Sequence, residues 1–98
     1  MNNQTDIFGG YPQPKNYLQE VLLLLINKGQ VSFFDFRYLQ DFRKRISILK
    51  LDKGVNLTTK KFEGKTKYGN RYIYHIHYLS NEDKPQAIAI YNKMVKNE

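Results

Sequence analysis

The chain has 98 residues, 41% of them hydrophobic, and carries sixteen Lys and Arg against nine Asp and Glu, a formal net charge of +7. This length suits one small domain, and the apolar content excludes a chain that is disordered throughout. The sequence contains no cysteine, which excludes disulfides, thiolate catalysis and the common zinc sites.

The first 28 residues divide into an arm and a helix. Residues 1–14 include Gly9, Gly10 and two prolines and show no hydrophobic periodicity, so we predict a flexible N-terminal arm. Residues 15–28 have a broad apolar face and are followed by Gly29, a pattern typical of an α-helix and its C-terminal stop. The apolar run 21–26 is too short to cross a bilayer, and residues 1–20 lack the pattern of a secretory signal, so we expect no membrane partner.

Two further helices are predicted between Val31 and Gly54. Ser32 is a candidate N-cap for a short helix over residues 32–39. In the next stretch four apolar residues recur at spacings of three, four and three: Leu39, Phe42, Ile46 and Leu49. That spacing predicts one face of an α-helix, which ends at Gly54 after cations in its last turn.

Beyond Gly54 the hydrophobic period changes from 3.6 to 2, which predicts a β-hairpin. Val55 and Leu57 alternate with polar residues, residues 64–70 are rich in turn formers and lysine, and residues 71–79 favour a strand throughout. Three tyrosines of that second strand share a face with Ile76, and we expect them to close the core under the sheet: Tyr72, Tyr74 and Tyr78. The opposite face carries the two histidines, His75 and His77.

The last predicted element is an amphipathic helix that begins near Pro85. The chain therefore divides into an arm (1–14), a folded domain (15–80) and a C-terminal helix (81–98). The apolar residues Ile88, Tyr91 and Val95 either form a homodimer contact or cover the helix at 15–28 within one chain. We prefer the intrachain alternative, and both a monomer and a homodimer stay open.

Positive charge is concentrated in the middle of the sequence. Eleven of the sixteen Lys and Arg but only three of the nine acids lie between Arg37 and Arg71, which gives this segment a net charge of +8 and the remainder −1. A clustered excess of this kind is the electrostatic pattern expected of a protein that binds a polyanion.

Three stretches resemble a known family. They are LQEVLLLLINKGQVS (18–32), FRKRISILKLDKGVNL (42–57), in which an R-I-x-x-L helix runs into a glycine and a first strand, and RYIYHIHYL (71–79). Through them, residues 17–79 resemble the winged helix-turn-helix domains of bacteriophage and mobile-element proteins. The resemblance implies an α+β fold with a three-helix core and a β-wing of two or three strands, to which the C-terminal helix is an addition. It also implies binding to double-stranded DNA, with the third helix in the major groove and the wing on the backbone.

The candidate DNA-binding residues lie on the third predicted helix and on the hairpin. We expect side chains of the helix to face the bases, with Gln and Arg able to make bidentate contacts to adenine and guanine: Gln40, Arg43, Lys44 and Ser47. The remaining candidates are cations that would contact phosphates: Arg45, Lys60, Lys61, Lys65, Lys67 and Arg71.

Less specific interpretations compete with these. A run of cations such as Arg43 to Arg45 is commonly only solvated. Tyr72, Tyr74 and Tyr78 could instead form a stacking platform for single-stranded nucleic acid. His75 and His77 lack a third ligand, so we predict no metal and no cofactor. The sequence has no phosphate-binding glycine loop and no nucleophile with a base, so we predict that the protein is not an enzyme.

The hypothesis is a DNA-binding regulator of transcription from a phage or mobile element, located in the cytoplasm of a bacterial host. Winged helices also serve as protein-interaction modules, so a small phage-encoded inhibitor of a host immunity nuclease complex is the alternative. The two differ in how DNA binding responds to salt, because phosphate contacts make affinity strongly salt-dependent.

Overall fold

The computed structural model describes residues 9–97, which form an α+β fold of three α-helices and a three-stranded antiparallel sheet. The helices and strands, in chain order, are α1 (Tyr17–Lys28), β1 (Gln30–Ser32), α2 (Phe42–Ser47), β2 (Thr58–Lys65), β3 (Arg71–Tyr78) and α3 (Lys84–Asn97). A turn of 3-10 helix, Phe33–Phe36, lies between β1 and α2, and the π-helical residues Ile48–Asp52 extend α2.

Helix α1 forms the centre of the core and is capped at both ends. The side chain of Asn16 accepts a hydrogen bond from the backbone N–H of Gln19 at 2.9 Å. Gly29 adopts φ 78°, a left-handed conformation that closes the C-terminus as the sequence predicts. The broad apolar face of the helix is buried almost completely, at Val21, Leu22, Leu25 and Ile26.

The second predicted helix, 32–39, is only one 3-10 turn. Ser32 is its N-cap as predicted, and a capping box forms because the Asp35 carboxylate accepts from the Ser32 N–H at 2.9 Å. Phe36 is buried, but Phe33 and Phe34 remain exposed. A helix this short gains stability mainly from a buried face, and one buried side chain supports a single turn.

The sheet has the strand order β1-β3-β2. Val31 of β1 lies opposite His77 of β3, and Thr59 of β2 lies opposite His77 on its other side. Since Val31 is fully buried and directly paired residues share a face, the histidine face of the hairpin is the inner face, toward the core. The predicted core position of Tyr72, Tyr74 and Tyr78 is therefore wrong: these tyrosines project from the outer face, and Tyr72 is 41% exposed.

Helix α3 covers α1 within the same chain. Tyr91 is fully buried, and its hydroxyl donates to the backbone carbonyl of Pro12 at 2.6 Å, while Lys15 donates from Nζ to the carbonyl of Val95 at 2.9 Å. Tyr91 and Val95 are thus unavailable for the dimer contact considered from the sequence, and the intrachain alternative is observed. Residues 1–8 of the predicted arm lie outside the described residues, whereas Tyr11 and Pro12 contact the core.

The helices between residues 9 and 97 are all too short or too polar to span a lipid bilayer.

The Tyr91 hydroxyl is expected to contribute measurably to stability. Burial raises the pKa of Tyr91 to about 12, so the hydroxyl stays protonated and donates to Pro12 across the neutral range. Tyr91→Phe should lower the free energy of unfolding by about 1 to 2 kcal/mol, because it leaves the Pro12 carbonyl without its donor. Urea denaturation measures this. Tyr68→Phe is the control, since Tyr68 is highly exposed; equal stability of both variants would show that the hydrogen bond contributes nothing.

Candidate nucleic-acid interface

Helix α2 and the hairpin enclose a groove of about 750 Å³. Residues 40–50, around α2, supply the polar side chains of Gln40, Arg43, Ser47 and Lys50 to its lining. The inner face of the hairpin supplies those of Thr59, His75 and His77. The apolar lining consists of Phe33, Phe34, Phe42, Ile46, Tyr72, Ile73 and Tyr74. The groove therefore combines cationic, polar and aromatic groups from three separate parts of the chain.

The orientation of α2 places its polar stripe on the groove. Phe42 and Ile46 are buried, so their face of the helix is fixed toward the core. Arg43, Ser47 and Lys50 are separated by four and three residues, so they lie along one side of the helix, next to its buried face. All three are exposed, and their side chains border the groove.

The inner face of the hairpin extends the basic surface away from the groove. Lys61 lies opposite His75 in the β2–β3 ladder, and Lys65 lies opposite Arg71. Because paired residues project from the same face, these three cations share the side on which His75 and His77 line the groove. Glu63, opposite Ile73, is the acid on this face.

The cations around the groove are not neutralised by nearby carboxylates. The groove lining contains Arg43 and Lys50 and no Asp or Glu. Within residues 9–97 the ion pairs are Lys28–Asp35 at 3.5 Å and Arg45–Asp41 at 3.1 Å. The groove and the hairpin face next to it therefore carry a positive potential that is available to an anionic partner.

Six of the ten predicted DNA-binding residues lie in the groove or on the hairpin face that extends from it. Three border the groove, and three lie on the inner face of the hairpin: Gln40, Arg43 and Ser47, and Lys61, Lys65 and Arg71.

Four predicted residues lie elsewhere. Lys44 is exposed but does not line the groove. Arg45 pairs with Asp41, and its guanidinium lies 5.7 Å from the Tyr17 ring of α1. Lys60 projects from the outer face, with its ammonium 5.5 Å from the Tyr78 ring. Lys67 lies in the hairpin turn.

Sequence reasoning missed part of the groove. Lys50 lines the groove but is not among the predicted site residues, although its spacing of seven from Arg43 is typical of one side of a helix. Phe33 and Phe34 gave no such signal, because their place beside β3 depends on the 3-10 turn and on sheet pairing.

Among the residues that line the groove, His77 is the one whose pKa is shifted. Its ring packs 5.9 Å from Phe42, and its Nδ1 lies 2.8 Å from the Thr59 hydroxyl. Burial lowers the pKa of His77, and the charges of Lys50 and His75 lower it further. His77 is therefore neutral at pH 7. In the part of the chain that the structure describes, no three His, Asp or Glu side chains come together as a metal site.

Comparison with known proteins adds no relative. No protein-family model matches the sequence, and neither a curated protein nor a solved structure matches it significantly.

The lowered pKa of His77 predicts a pH dependence of stability. The unfolded chain, with an ordinary pKa of 6.5, binds the proton more readily than the folded chain. The stability due to neutral His77 is thus fully present above that value and is lost as the pH falls through the lower folded pKa. His77→Gln, which keeps a polar partner for Thr59, should lose less stability than the parent between about pH 7 and about pH 5. Urea denaturation at each pH measures this, and identical pH profiles would contradict the assignment.

Proposed function

We propose that this protein is a winged-helix protein that binds double-stranded DNA. The observation that carries the proposal is the shared groove: α2 and the inner face of the hairpin border one concave surface whose cations have no carboxylate among the lining residues. A polyanion is the partner that such a surface favours.

The topology is compatible with a winged helix. A helix, a short strand, a turn, a second helix and a hairpin follow in order, and the short strand pairs with the second strand of the hairpin. In that arrangement the hairpin is the wing and α2 the recognition helix. The major groove of B-DNA, about 12 Å wide, admits an α-helix.

In this proposal, the two elements have different tasks. Gln40, Arg43 and Ser47 would approach base edges, since Arg pairs with guanine and Gln with adenine through bidentate hydrogen bonds. Lys61, Lys65 and Arg71 would contact phosphates and fix the position of the protein on the duplex. The resemblance to phage and mobile-element domains supports a role in regulating transcription.

A second candidate, a protein-interaction module, is favoured by a separate exposed cluster. The rings of Tyr17 and Tyr38 lie 5.7 Å apart, and the Arg45 guanidinium lies 5.7 Å from Tyr17. Both tyrosines are exposed, and Tyr and Arg are enriched among the residues that dominate protein interfaces. None of the three lines the groove.

Salt dependence distinguishes the two functions. Binding of the parent protein to a random-sequence duplex should weaken by about 10³-fold or more between about 50 and about 200 mM salt if six or more phosphates are contacted. Fluorescence anisotropy of a labelled duplex measures this. Absence of binding at low salt would contradict DNA binding and favour a protein partner.

Cations on the inner face of the hairpin should account for part of the salt dependence of DNA binding. The triple variant Lys61→Gln, Lys65→Gln and Arg71→Gln should flatten the salt slope by about 0.9 for each phosphate that the variant no longer neutralises. The matched control removes the same charge from α3 through Lys84→Gln, Lys93→Gln and Lys96→Gln. An equal flattening in both triple variants would show that total charge, and not this face, determines binding.

A further inference from the structure

We propose that the groove also binds an unpaired nucleotide within a nucleic-acid strand, on a cluster of four aromatic rings. This aromatic cluster consists of Phe33, Phe34, Tyr72 and Tyr74, all of which line the groove. Strand β1 pairs with β3 only as far as Ser32, and the lining of the groove includes Tyr72 and Tyr74 in the part of β3 beyond this pairing. The inference rests on the proposed DNA binding and narrows it to DNA that contains unpaired bases.

The four rings form one contiguous surface. The ring centroid of Phe34 lies 5.9 Å from that of Phe33, 6.5 Å from that of Tyr72 and 5.3 Å from that of Tyr74. Phe33 and Phe34 are 49% and 41% exposed, and neither belongs to the core. Folding therefore leaves much of this aromatic area in contact with water, available to a ligand.

The position of Tyr72 depends on a glycine. Gly64 lies opposite Tyr72 in the β2–β3 ladder, and a side chain at position 64 would collide with the Tyr72 ring. The ring thus lies across β2 in space that any other residue would fill. Glycine at 64 keeps Tyr72 beside Tyr74, at a centroid separation of 5.9 Å.

One cation lies at the aromatic cluster and two more line the same groove. The Arg37 guanidinium carbon lies 5.6 Å from the centroid of the Phe34 ring. Arg43 and Lys50 line the same groove. Aromatic faces next to unpaired cations are the combination that binds a nucleobase and its phosphate, since the base stacks on a ring or on a guanidinium plane.

A base-paired duplex does not use such a surface. Its bases are stacked on one another, so that a protein contacts their edges and the phosphates but not their faces. The groove volume, about 750 Å³, is in the range of small-molecule sites, about 300 to 1,000 Å³. That space is large enough for one unpaired nucleotide.

The charges outside the groove favour a strand over a free nucleotide. Lys61, Lys65 and Arg71 continue along the inner face of the hairpin, where they would contact further phosphates of a strand, which a single nucleotide does not have. An acidic peptide with an aromatic anchor is the competing occupant, and it is distinguished from a nucleic-acid strand by whether the protein binds DNA.

The test compares two DNA ligands of equal strand length: a blunt duplex and the same duplex with a short central run of unpaired thymidines. For the parent protein, we expect the second ligand to bind about tenfold more tightly. Phe34→Leu keeps an apolar side chain but removes the ring, and should reduce this preference toward one. Tyr38→Leu removes an exposed ring outside the groove and should keep it, and the triple hairpin variant should weaken both ligands while it also keeps the ratio.

Each result has one meaning. Equal binding of both ligands by the parent would overturn the further inference and leave duplex binding intact. A preference that survives Phe34→Leu would overturn the assignment to the aromatic cluster. Absence of binding to either ligand would overturn both proposals and leave a peptide as the occupant.

A fluorescent reporter gives an independent measurement. The protein has eight tyrosines but no tryptophan, so Phe34→Trp introduces a single tryptophan into the aromatic cluster, whose emission is excited selectively at wavelengths that tyrosine does not absorb. Oligothymidylate should quench this emission by stacking and should leave the emission of Tyr38→Trp unchanged, whereas free thymidine monophosphate at the same nucleotide concentration should quench Phe34→Trp much less. Equal quenching of the two tryptophan variants, or no quenching of either, would contradict base stacking in the groove.

Discussion

The rotation of α2 about its own axis is the constraint on which the candidate site depends. Phe42, Ile46 and Leu49 are almost completely buried and fix one side of the helical segment against the core. The Phe36 and Phe42 rings stack at 5.7 Å, and Phe42 also meets His77 of β3 at 5.9 Å. Phe42 thus contacts both the 3-10 turn and the hairpin. Its packing sets the distance between the sheet and the side of α2 that carries Arg43 and Lys50. A helix turned by one position would present different side chains to the groove.

The π-helical end of α2 serves the same arrangement. Lys53 donates to the carbonyl of Ile48, and Val55 to that of Leu49, which are bonds longer in sequence than those of an α-helix. The wider turn keeps Leu49 buried while Leu51 is 83% exposed. Gly54 then takes φ 74°, a conformation that glycine adopts at little cost. The chain can therefore leave the helix directly toward the hairpin, so that Val55 and Leu57 enter the core before β2 begins.

Local patterns predicted much of this fold. The stripe Leu39, Phe42, Ile46 and Leu49 is buried, Ser32 is an N-cap, Gly29 ends α1, and α3 begins one residue before Pro85. The face of the hairpin could not be predicted in the same way, because both faces of β3 carry apolar or aromatic residues at a period of 2. The pairing of Val31 with His77, which lies far away in sequence, decides which face is inward.

That single decision also explains why part of the predicted site lies away from the groove. Once the histidine face is inward, Lys60 must project outward and Lys61 inward, although the two are adjacent in sequence. The sequence prediction grouped them, since it relied on charge clustering and not on alternation. Arg45 lies away from the groove for a comparable reason. It pairs with Asp41, one helical turn before it, and its guanidinium lies near the Tyr17 ring of α1. Charge content was thus predictable from composition, whereas charge direction required the sheet register and the helix rotation.

The core and the candidate site share only part of their residues, among them Phe42 and Ile46. Several of the most completely buried residues belong to α1 and α3, among them Leu22, Leu25 and Tyr91, and no residue of either helix lines the groove. Helix α3 lies on α1 and leaves the α2–hairpin side uncovered. Cations gathered on one side repel one another and oppose folding, so a core built mainly on the other side has to supply the free energy that offsets this repulsion. The groove can therefore keep its unpaired cations and exposed rings because the structure does not rely on them to fold.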